Sequence, residues 1–148
     1  NLIKKCNKNK IKIIFFSTSY IYPGKKGSYS ESDPVLPWNN YGWSKFGAED
    51  AVQMYKNSLI IRACMTEKPF VHNQAFGNVK SNFIFHEDIA KILIKLLNKK
   101  GIINIGGKAQ TIYKFAKKYN KDIKNVKSKG ELPLNMDMNL NKLKKLIQ

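Results

Sequence analysis

The sequence predicts an α/β fold built on a mainly parallel sheet. Short apolar runs at residues 10–16, 59–61 and 102–105 are nearly continuous, as expected of strands that are buried on both faces. Longer segments in which apolar residues recur with helical spacing separate these runs. Because a helix between two strands allows them to pair in parallel, this alternation indicates an α/β domain.

Length and composition favour one domain that spans residues 1–148. The chain has 148 residues, of which 43% are hydrophobic and 25% charged, and a domain of this size buries roughly 70% of the surface of its unfolded chain. No apolar run approaches the ~20 residues that cross a bilayer, and no secretory signal opens the sequence. The two cysteines, Cys6 and Cys64, do not form a disulfide framework. We therefore predict a cytoplasmic protein without a membrane partner.

The net charge of +17 raises the question of a nucleic-acid partner. All but one of the 27 basic residues are lysines, the exception being Arg62. Arginine is the residue that makes bidentate contacts with bases and phosphates, and the lysines are spread along the chain rather than gathered in one stripe. These features favour solvated surface charge over a nucleic-acid site. A polyanion-binding protein remains the alternative.

The first predicted strand, residues 10–16, is followed directly by three hydroxyl residues, Ser17, Thr18 and Ser19. A loop rich in glycine, proline, serine and asparagine then covers residues 20–40. Loops of this length in compact domains are usually functional or disordered. The loop is therefore a candidate for a functional role.

A helix is predicted next, over residues 40–56, from the spacing of its apolar residues. On that spacing, its inward face is formed by Tyr41, Ala48, Val52 and Tyr55.

The rest of the chain contains one helix with clear end signals. The second strand, residues 59–61, precedes an aperiodic segment, 65–82, that we expect to be irregular. A helix is predicted over residues 86–99 because acidic residues occupy its first turn, lysines its last turn, and Gly101 can end it. Its apolar face is formed by Ile89, Leu93, Leu96 and Leu97. The remaining elements are a strand at 102–105 and helices at 111–119 and 139–147.

Three residues near the first strand and helix could carry acid–base chemistry. Tyr41 and Lys45 are four residues apart and share one face of the predicted helix. A phenol has a pKa near ~10, and a neighbouring ammonium lowers it. A hydroxyl from Thr18 at the strand end could hydrogen-bond the same substrate oxygen. This trio suits a reaction in which tyrosine passes a proton while a nicotinamide passes a hydride. The tyrosine–lysine spacing alone is a weak signal, because lysine is so common in this chain.

Five stretches together resemble the extended short-chain dehydrogenase/reductase family, in particular its members that modify nucleotide sugars. They are residues 16–22, 27–34, 41–45, 83–90 and 101–107, in the order in which the family has them. The resemblance implies a partial Rossmann-like, doubly wound parallel sheet with C-terminal substrate-binding elements. Residues 1–64 would form the Rossmann half, and residues from about 65 to 148 the substrate-binding region.

The resemblance also implies roles for single residues. Tyr41 would be the general acid/base, Lys45 would bind the nicotinamide ribose and tune Tyr41, and Thr18 would hold the reacting oxygen. Tyr41 would also contact the cofactor, and the further cofactor-binding residues would be Ser17, Ala63 and Cys64. The further substrate-binding residues would be Ser19 and Met65, although relatives usually carry a polar or aromatic residue at the latter position.

Neither the two histidines nor Cys64 adds metal or nucleophile chemistry. His72 and His86 stand alone in the sequence, without the spacing of metal ligands, so no metal site is predicted. Cys64 follows an apolar strand and fits a small buried residue better than a nucleophile.

The family's glycine-rich turn, which holds the cofactor pyrophosphate at a helix N-terminus, has no counterpart in this sequence. The chain therefore resembles the C-terminal part of a longer protein, and we expect it to be inactive by itself. The predicted function is NAD- or NADP-dependent reduction of a 4-keto nucleotide sugar, with that nucleotide sugar as partner and a possible homodimer. The alternatives are an NAD-dependent nucleotide-sugar epimerase or dehydratase, and a non-catalytic regulatory or binding homologue.

Overall fold

The computed structural model describes residues 2–148, which form five α-helices and nine short β-strands. The helices are α1 (Leu2–Lys8), α2 (Asn40–Gln53), α3 (His86–Leu96), α4 (Ile112–Ala116) and α5 (Asn141–Ile147). The strands are β1 (Ile13–Thr18), β2 (Ser58–Ala63), β3 (Met65–Thr66), β4 (Gln74–Phe76), β5 (Lys80–Ser81), β6 (Ile84–Phe85), β7 (Gly101–Ile105), β8 (Gln110–Thr111) and β9 (Lys124–Val126).

The three predicted apolar runs form one parallel sheet with the order β1-β2-β7. Thr18 pairs with Ala63, and Ala63 pairs with Ile105, so the carboxyl ends of all three strands meet at one edge. All six residues of the central strand β2 are buried. The sheet confirms the predicted α/β class with parallel strands.

Strand β1 lies at the edge of this sheet and pairs only with β2 within residues 2–148. Its first four residues, Ile13 to Phe16, are only half-buried, although all four are apolar. One face of the sheet packs on α3 and α5. The core there is formed by Leu59, Ile61, Ile89, Leu96, Ile103 and Leu143. The other edge of β1 is left without a neighbouring strand in the described part of the chain.

The C-terminal region is built from pairs of very short strands: β3 with β6, β4 with β9, and β5 with β8. It encloses a second core, whose buried members include Phe70, Val79, Phe115 and Met136. The prediction that residues 65–82 are irregular is therefore wrong at the three short strands β3, β4 and β5, whereas the connections between them are irregular. Strands of two or three residues are too short to produce an alternating pattern in a sequence.

The predicted inward face of α2 is wrong at two of its four positions. Tyr41 and Ala48 are exposed, and the buried positions of the helix are Gly42, Glu49 and Val52. The pattern of apolar residues misplaced this face because its central buried position holds a carboxylate.

Helix ends account for most of the other differences. Helix α3 ends at Leu96, so Leu97, which was expected on its apolar face, is exposed. Gly101 has a φ of +81°, which glycine adopts readily, but it begins β7 five residues after the end of α3 and does not cap that helix. Helix α1 and strand β9 were not predicted. Among the helices of residues 2–148, none has the length and apolar character needed to cross a bilayer.

Candidate functional site

A cavity of about 510 Å³ opens beside the carboxyl ends of β1 and β2. Its wall includes Thr18 from β1, Tyr41 from α2, and Cys64 and Met65, which follow β2. Open α/β sheets bind ligands at the carboxyl ends of their strands, and small-molecule sites usually measure about 300–1,000 Å³. Position and size both fit a site for a small organic ligand.

Thr18 is the last residue of β1 and is buried against the cavity. Its side-chain oxygen accepts a hydrogen bond from the backbone N–H of Tyr20 at 3.2 Å, which begins a single 3₁₀ turn over Ser19–Ile21. Because this bond uses a lone pair of the oxygen, the hydroxyl hydrogen remains available to a ligand in the cavity.

Tyr41 lies in the first turn of α2 and faces the same cavity. The helix begins after Asn39, whose side chain accepts a hydrogen bond from the backbone N–H of Gly42 at 2.8 Å. A Cβ atom at Gly42 would lie 2.6 Å from the backbone oxygen of Tyr20, so glycine permits this close approach of α2. The ring of Tyr41 meets that of Tyr20 edge to face, with 6.1 Å between centroids.

Lys45 follows Tyr41 by one turn of α2 but is not among the residues that line the cavity. Its ammonium lies over the ring of Phe15 in β1, 4.7 Å from the ring centroid. The structure therefore brings Thr18 and Tyr41 to one cavity and places Lys45 beside the edge strand.

Four further predicted residues lie at the end of the sheet. Ser17, Ala63 and Cys64 are buried and line the cavity, whereas Ser19 is fully buried and does not line it. The hydroxyl of Ser17 donates a hydrogen bond to Glu49 at 2.5 Å. Burial raises the pKa of the Cys64 thiol, so it stays protonated near neutral pH. This agrees with a small buried residue rather than a nucleophile.

Met65 is half-buried at the cavity wall. Its thioether is apolar and offers only a weak hydrogen-bond acceptor to a ligand.

The cavity wall also contains five polar residues that were not predicted: Tyr20, Thr66, Glu67, His72 and Gln74. Burial raises the pKa of the Tyr20 phenol, and the neighbouring Cys64 and Tyr41 add to the rise, so this side chain is a neutral hydrogen-bond donor. Glu67 and His72 lie on the connection between β3 and β4. This connection has no periodicity from which their direction could be predicted.

The long loop that was a candidate for function is attached to the sheet by its own polar residues. Tyr29 stacks on Tyr22 with 4.9 Å between ring centroids. The Glu31 carboxylate accepts a hydrogen bond from the backbone N–H of Asn104 in β7 at 2.9 Å. Tyr29 and Glu31 thus hold the loop against the rest of the protein.

Asp33, in the same loop, has a pKa of about 2. A hydrogen bond from Lys26 is the largest cause of this low pKa, and bonds from the backbone and side chain of Ser30 add to it. The aspartate therefore anchors the loop locally rather than facing the cavity.

No group of three or more histidine, cysteine, aspartate or glutamate side chains in the described part of the chain could hold a metal ion. The cavity wall does contain the phenol of Tyr41 and the hydroxyl of Thr18, at the end of a parallel sheet. The fold and the cavity together define a Rossmann-like α/β protein with a cavity at the carboxyl ends of its parallel strands.

A family model described as the RmlD substrate binding domain matches residues 1–80, which is more than half of the chain. The chain belongs to this family. A search of curated proteins gave no match.

Solved structures show the same fold. A hypothetical dTDP-4-dehydrorhamnose reductase from Sulfolobus tokodaii superposes with a TM-score of 0.84 at 23% identity, over 97% of this chain and 61% of that one. The dTDP-4-dehydrorhamnose reductase of Bacillus anthracis, in complex with NADP, gives 0.83 at 18% identity, over 97% and 61%. A UDP-glucuronic acid 4-epimerase from Bacillus cereus, in complex with NAD, gives 0.77 at 23% identity, over 99% and 58%.

These matches confirm the predicted Rossmann-like fold. The family-model match confirms the predicted resemblance to the nucleotide-sugar branch of the extended short-chain dehydrogenases/reductases. The chain spans about three fifths of the length of the structures it matches.

Proposed function

We propose that this chain provides the catalytic and substrate-binding part of an NAD(P)-dependent reductase of 4-keto nucleotide sugars, similar to dTDP-4-dehydrorhamnose reductase. The observation that carries the proposal is that Thr18 and Tyr41 line one cavity at the carboxyl ends of β1 and β2. Membership of the RmlD substrate binding domain family supports it.

The reaction would convert a ketone into a secondary alcohol. The nicotinamide, when bound, supplies the hydride that adds to the carbonyl carbon. The Tyr41 phenol gives its proton to the carbonyl oxygen, while the hydroxyl of Thr18 donates a hydrogen bond to the same oxygen as negative charge develops on it. Tyr41 is 54% exposed, so solvent can return the proton after each turnover.

Lys45 would assist Tyr41 in this scheme. Its ammonium lies over Phe15, and its flexible four-carbon side chain starts one turn from Tyr41 on the same face of α2. Turned toward the cavity, the ammonium would favour the phenolate and so lower the pKa of Tyr41. It would also be placed to bind the ribose of the nicotinamide.

The residues at the ends of β1 and β2 fit one end of such a cofactor. Ser17, Ala63 and Cys64 have small side chains and line the cavity, which leaves room for a flat ring. The sequence has no glycine-rich turn to hold the pyrophosphate. We therefore propose that the pyrophosphate is bound by further strands. These strands would pair with the open edge of β1, where Ile13 to Phe16 are half-exposed.

In this view, residues 1–148 form one domain that is the C-terminal part of the enzyme, and this part has no turnover by itself. An intact mass of the protein from its natural source tests that point. A mass well above 17.0 kDa supports a longer enzyme. Equality with 17.0 kDa, together with turnover by the chain alone, contradicts it.

The activity is tested with the protein isolated from its source, NADPH and a dTDP-4-keto sugar. Tyr41→Phe should lower kcat by at least about 10²-fold, the usual contribution of a general acid. Tyr119→Phe is the matched control, because this exposed tyrosine packs on Phe85 outside the cavity. Full turnover by Tyr41→Phe would exclude the proposed acid. Interconversion of sugar epimers without net NADPH consumption would indicate an epimerase instead.

A further inference from the structure

A buried ion pair joins α2 to the sheet. The side chains of Glu49 and Arg62 are 0% and 4% exposed, and Nη2 of Arg62 lies 2.6 Å from Oε1 of Glu49. The Nε atom of Arg62 donates a second bond to the same oxygen at 3.1 Å. The other carboxylate oxygen accepts the hydroxyl of Ser17 at 2.5 Å. One carboxylate of α2 is thus bound to both β1 and β2.

The remaining guanidinium nitrogen of Arg62 connects this pair to the long loop and to β7. Nη1 donates to the hydroxyl of Tyr22 at 2.8 Å and to the backbone oxygen of Glu31 at 3.2 Å. The hydroxyl of Tyr22 in turn donates to Oδ1 of Asn104 in β7 at 2.8 Å. The network therefore crosses all three strands of the sheet near their carboxyl ends.

Stability alone is a weak explanation for such a pair. Removing two charges from water costs several kcal/mol per ion, and apolar replacements of a buried pair are often neutral or stabilising.

The location of the pair points to another role. Ser17 is the neighbour of Thr18, about 3.8 Å away between Cα atoms. Glu49 follows Tyr41 by eight residues, which is about 12 Å along the helix axis.

Helix α2 is held at two places along its length. Near its start, the close approach of Gly42 to the backbone oxygen of Tyr20 fixes its distance from the end of β1. In its second half, the bonds of Glu49 to Ser17 and Arg62 fix its rotation about its own axis. Rotation of the helix decides whether the first-turn side chain at position 41 faces the cavity.

We propose that Glu49 is a positioning residue, which sets the rotation of α2 so that Tyr41 and Thr18 face the same cavity. The carboxylate is not part of the cavity wall. It acts through Ser17 on the end of β1 and through Arg62 on the neighbouring strand. The catalytic consequence of this inference rests on the proposed function, whereas the structural arrangement does not.

The arrangement is tested by NMR on the 148-residue chain with ¹³C-labelled tyrosine rings and threonine methyl groups. Glu49→Gln keeps the size of the side chain and removes its charge. We expect it to shift the resonances of Tyr41 and Thr18, whereas Asp50→Asn, at the exposed next position of α2, should leave them in place. If the chemical shifts of Tyr41 and Thr18 in Glu49→Gln are the same as in the wild type, the proposal is overturned.

A second variant keeps the test decisive if Glu49→Gln does not fold. Glu49→Leu combined with Arg62→Met fills the space without burying any charge, a replacement that buried ion pairs often tolerate. Shifted resonances of Tyr41 and Thr18 in a folded double variant support the positioning role. Unshifted resonances overturn it, because the fold would then hold Tyr41 in place without the carboxylate.

The catalytic consequence is measured in the protein used for the turnover assay. Misplacement of a reacting group by about 1 Å can cost about 10²-fold in rate, so Glu49→Gln should lower kcat by about 10- to 100-fold. KM for the nucleotide sugar should change by less than about 2-fold, because most of the cavity wall lies outside α2 and β1. Wild-type kcat would overturn this consequence. If the wild type itself shows no turnover, the proposed function fails while the NMR comparison still decides the positioning role.

Discussion

The ammonium of Lys45 lies 4.7 Å from the ring centroid of Phe15, over the face of the ring. This contact joins the helix that carries Tyr41 to the edge strand β1. Attraction between a cation and an aromatic face is worth about 0.5–1 kcal/mol at an exposed site. A contact of that strength holds the ammonium when no ligand is present and is weak enough to yield to one.

Replacement of this lysine tests its part in the reaction. Lys45→Met removes the charge that would favour the phenolate of Tyr41, and we expect the turnover of the reductase to fall by about 10²-fold. The matched control is Lys56→Met, at an exposed position beyond the end of α2. The measurement is the steady-state rate with NADPH and the keto sugar. Equal rates for both variants would contradict the proposal that Lys45 assists Tyr41.

Thr18 is expected to act through its hydroxyl. Thr18→Val keeps the shape of the side chain but removes the donor to the developing oxyanion, a loss that usually costs about 10²–10³-fold in kcat. It also removes the acceptor for the N–H of Tyr20, so the free energy of unfolding should fall by about 1 kcal/mol. Thr18→Ser retains both functions and should stay near wild type. A fully active Thr18→Val would disprove the assignment.

Substitution of two glycines of α2 tests how closely this helix packs against the end of β1. At Gly42, an added Cβ would meet the backbone oxygen of Tyr20 at 2.6 Å, whereas at Gly47 it would meet nothing within 4 Å. Gly42→Ala should therefore destabilise the protein by about 1–3 kcal/mol. Gly47→Ala should stabilise it by about 0.5–1 kcal/mol, because alanine loses less entropy in a helix. Urea unfolding measures both, and equal effects would mean that α2 does not approach Tyr20 this closely.

The long loop should respond to strong acid through Asp33. The pKa of this carboxyl is about 2, below its ordinary value of 3.8, chiefly because Lys26 donates a hydrogen bond to it. A lowered pKa means that its contribution to stability is present above pH 3.8 and is lost as the pH falls through 2. A ¹³C NMR titration of the carboxyl gives the midpoint directly. Lys26→Met should raise that midpoint, and an unchanged midpoint would exclude Lys26 as the main cause of the low pKa.

The central sheet could be predicted from the sequence because its strands are continuous apolar runs. Each of the strands β1, β2 and β7 contains an unbroken run of two to four large apolar residues, which is typical of strands in a parallel sheet. Helix α3 was equally clear, since acidic residues at its start and lysine at its end complement the helix dipole.

The orientation of α2 could not be predicted, and the reason is chemical. Its buried face holds Glu49 instead of an apolar residue, and only the three-dimensional pairing with Arg62 makes that burial possible. The spacing of Tyr41 and Lys45 correctly placed both on one helix, but the contact of Lys45 with Phe15 depends on the packing of that helix against β1.

The C-terminal side of the cavity was beyond sequence reasoning for a different reason. Glu67 and His72 lie on an irregular connection, where no repeating pattern relates sequence position to direction. The strands around them have two or three residues and depend on pairing with distant segments, such as β4 with β9. Such non-local pairing leaves little trace in local composition.

The most direct test of the central claim follows the hydride itself. The protein from its natural source is incubated with NADPH that carries deuterium at both positions of C4 of the nicotinamide, together with a dTDP-4-keto sugar, and the product is examined by NMR. We predict one deuterium at C4 of the sugar, with one NADPH consumed per alcohol formed. In Tyr41→Phe, we expect neither deuterium in the sugar nor consumption of NADPH. A sugar product without deuterium, or full labelling by Tyr41→Phe, would contradict the assignment of this cavity as a reductase site.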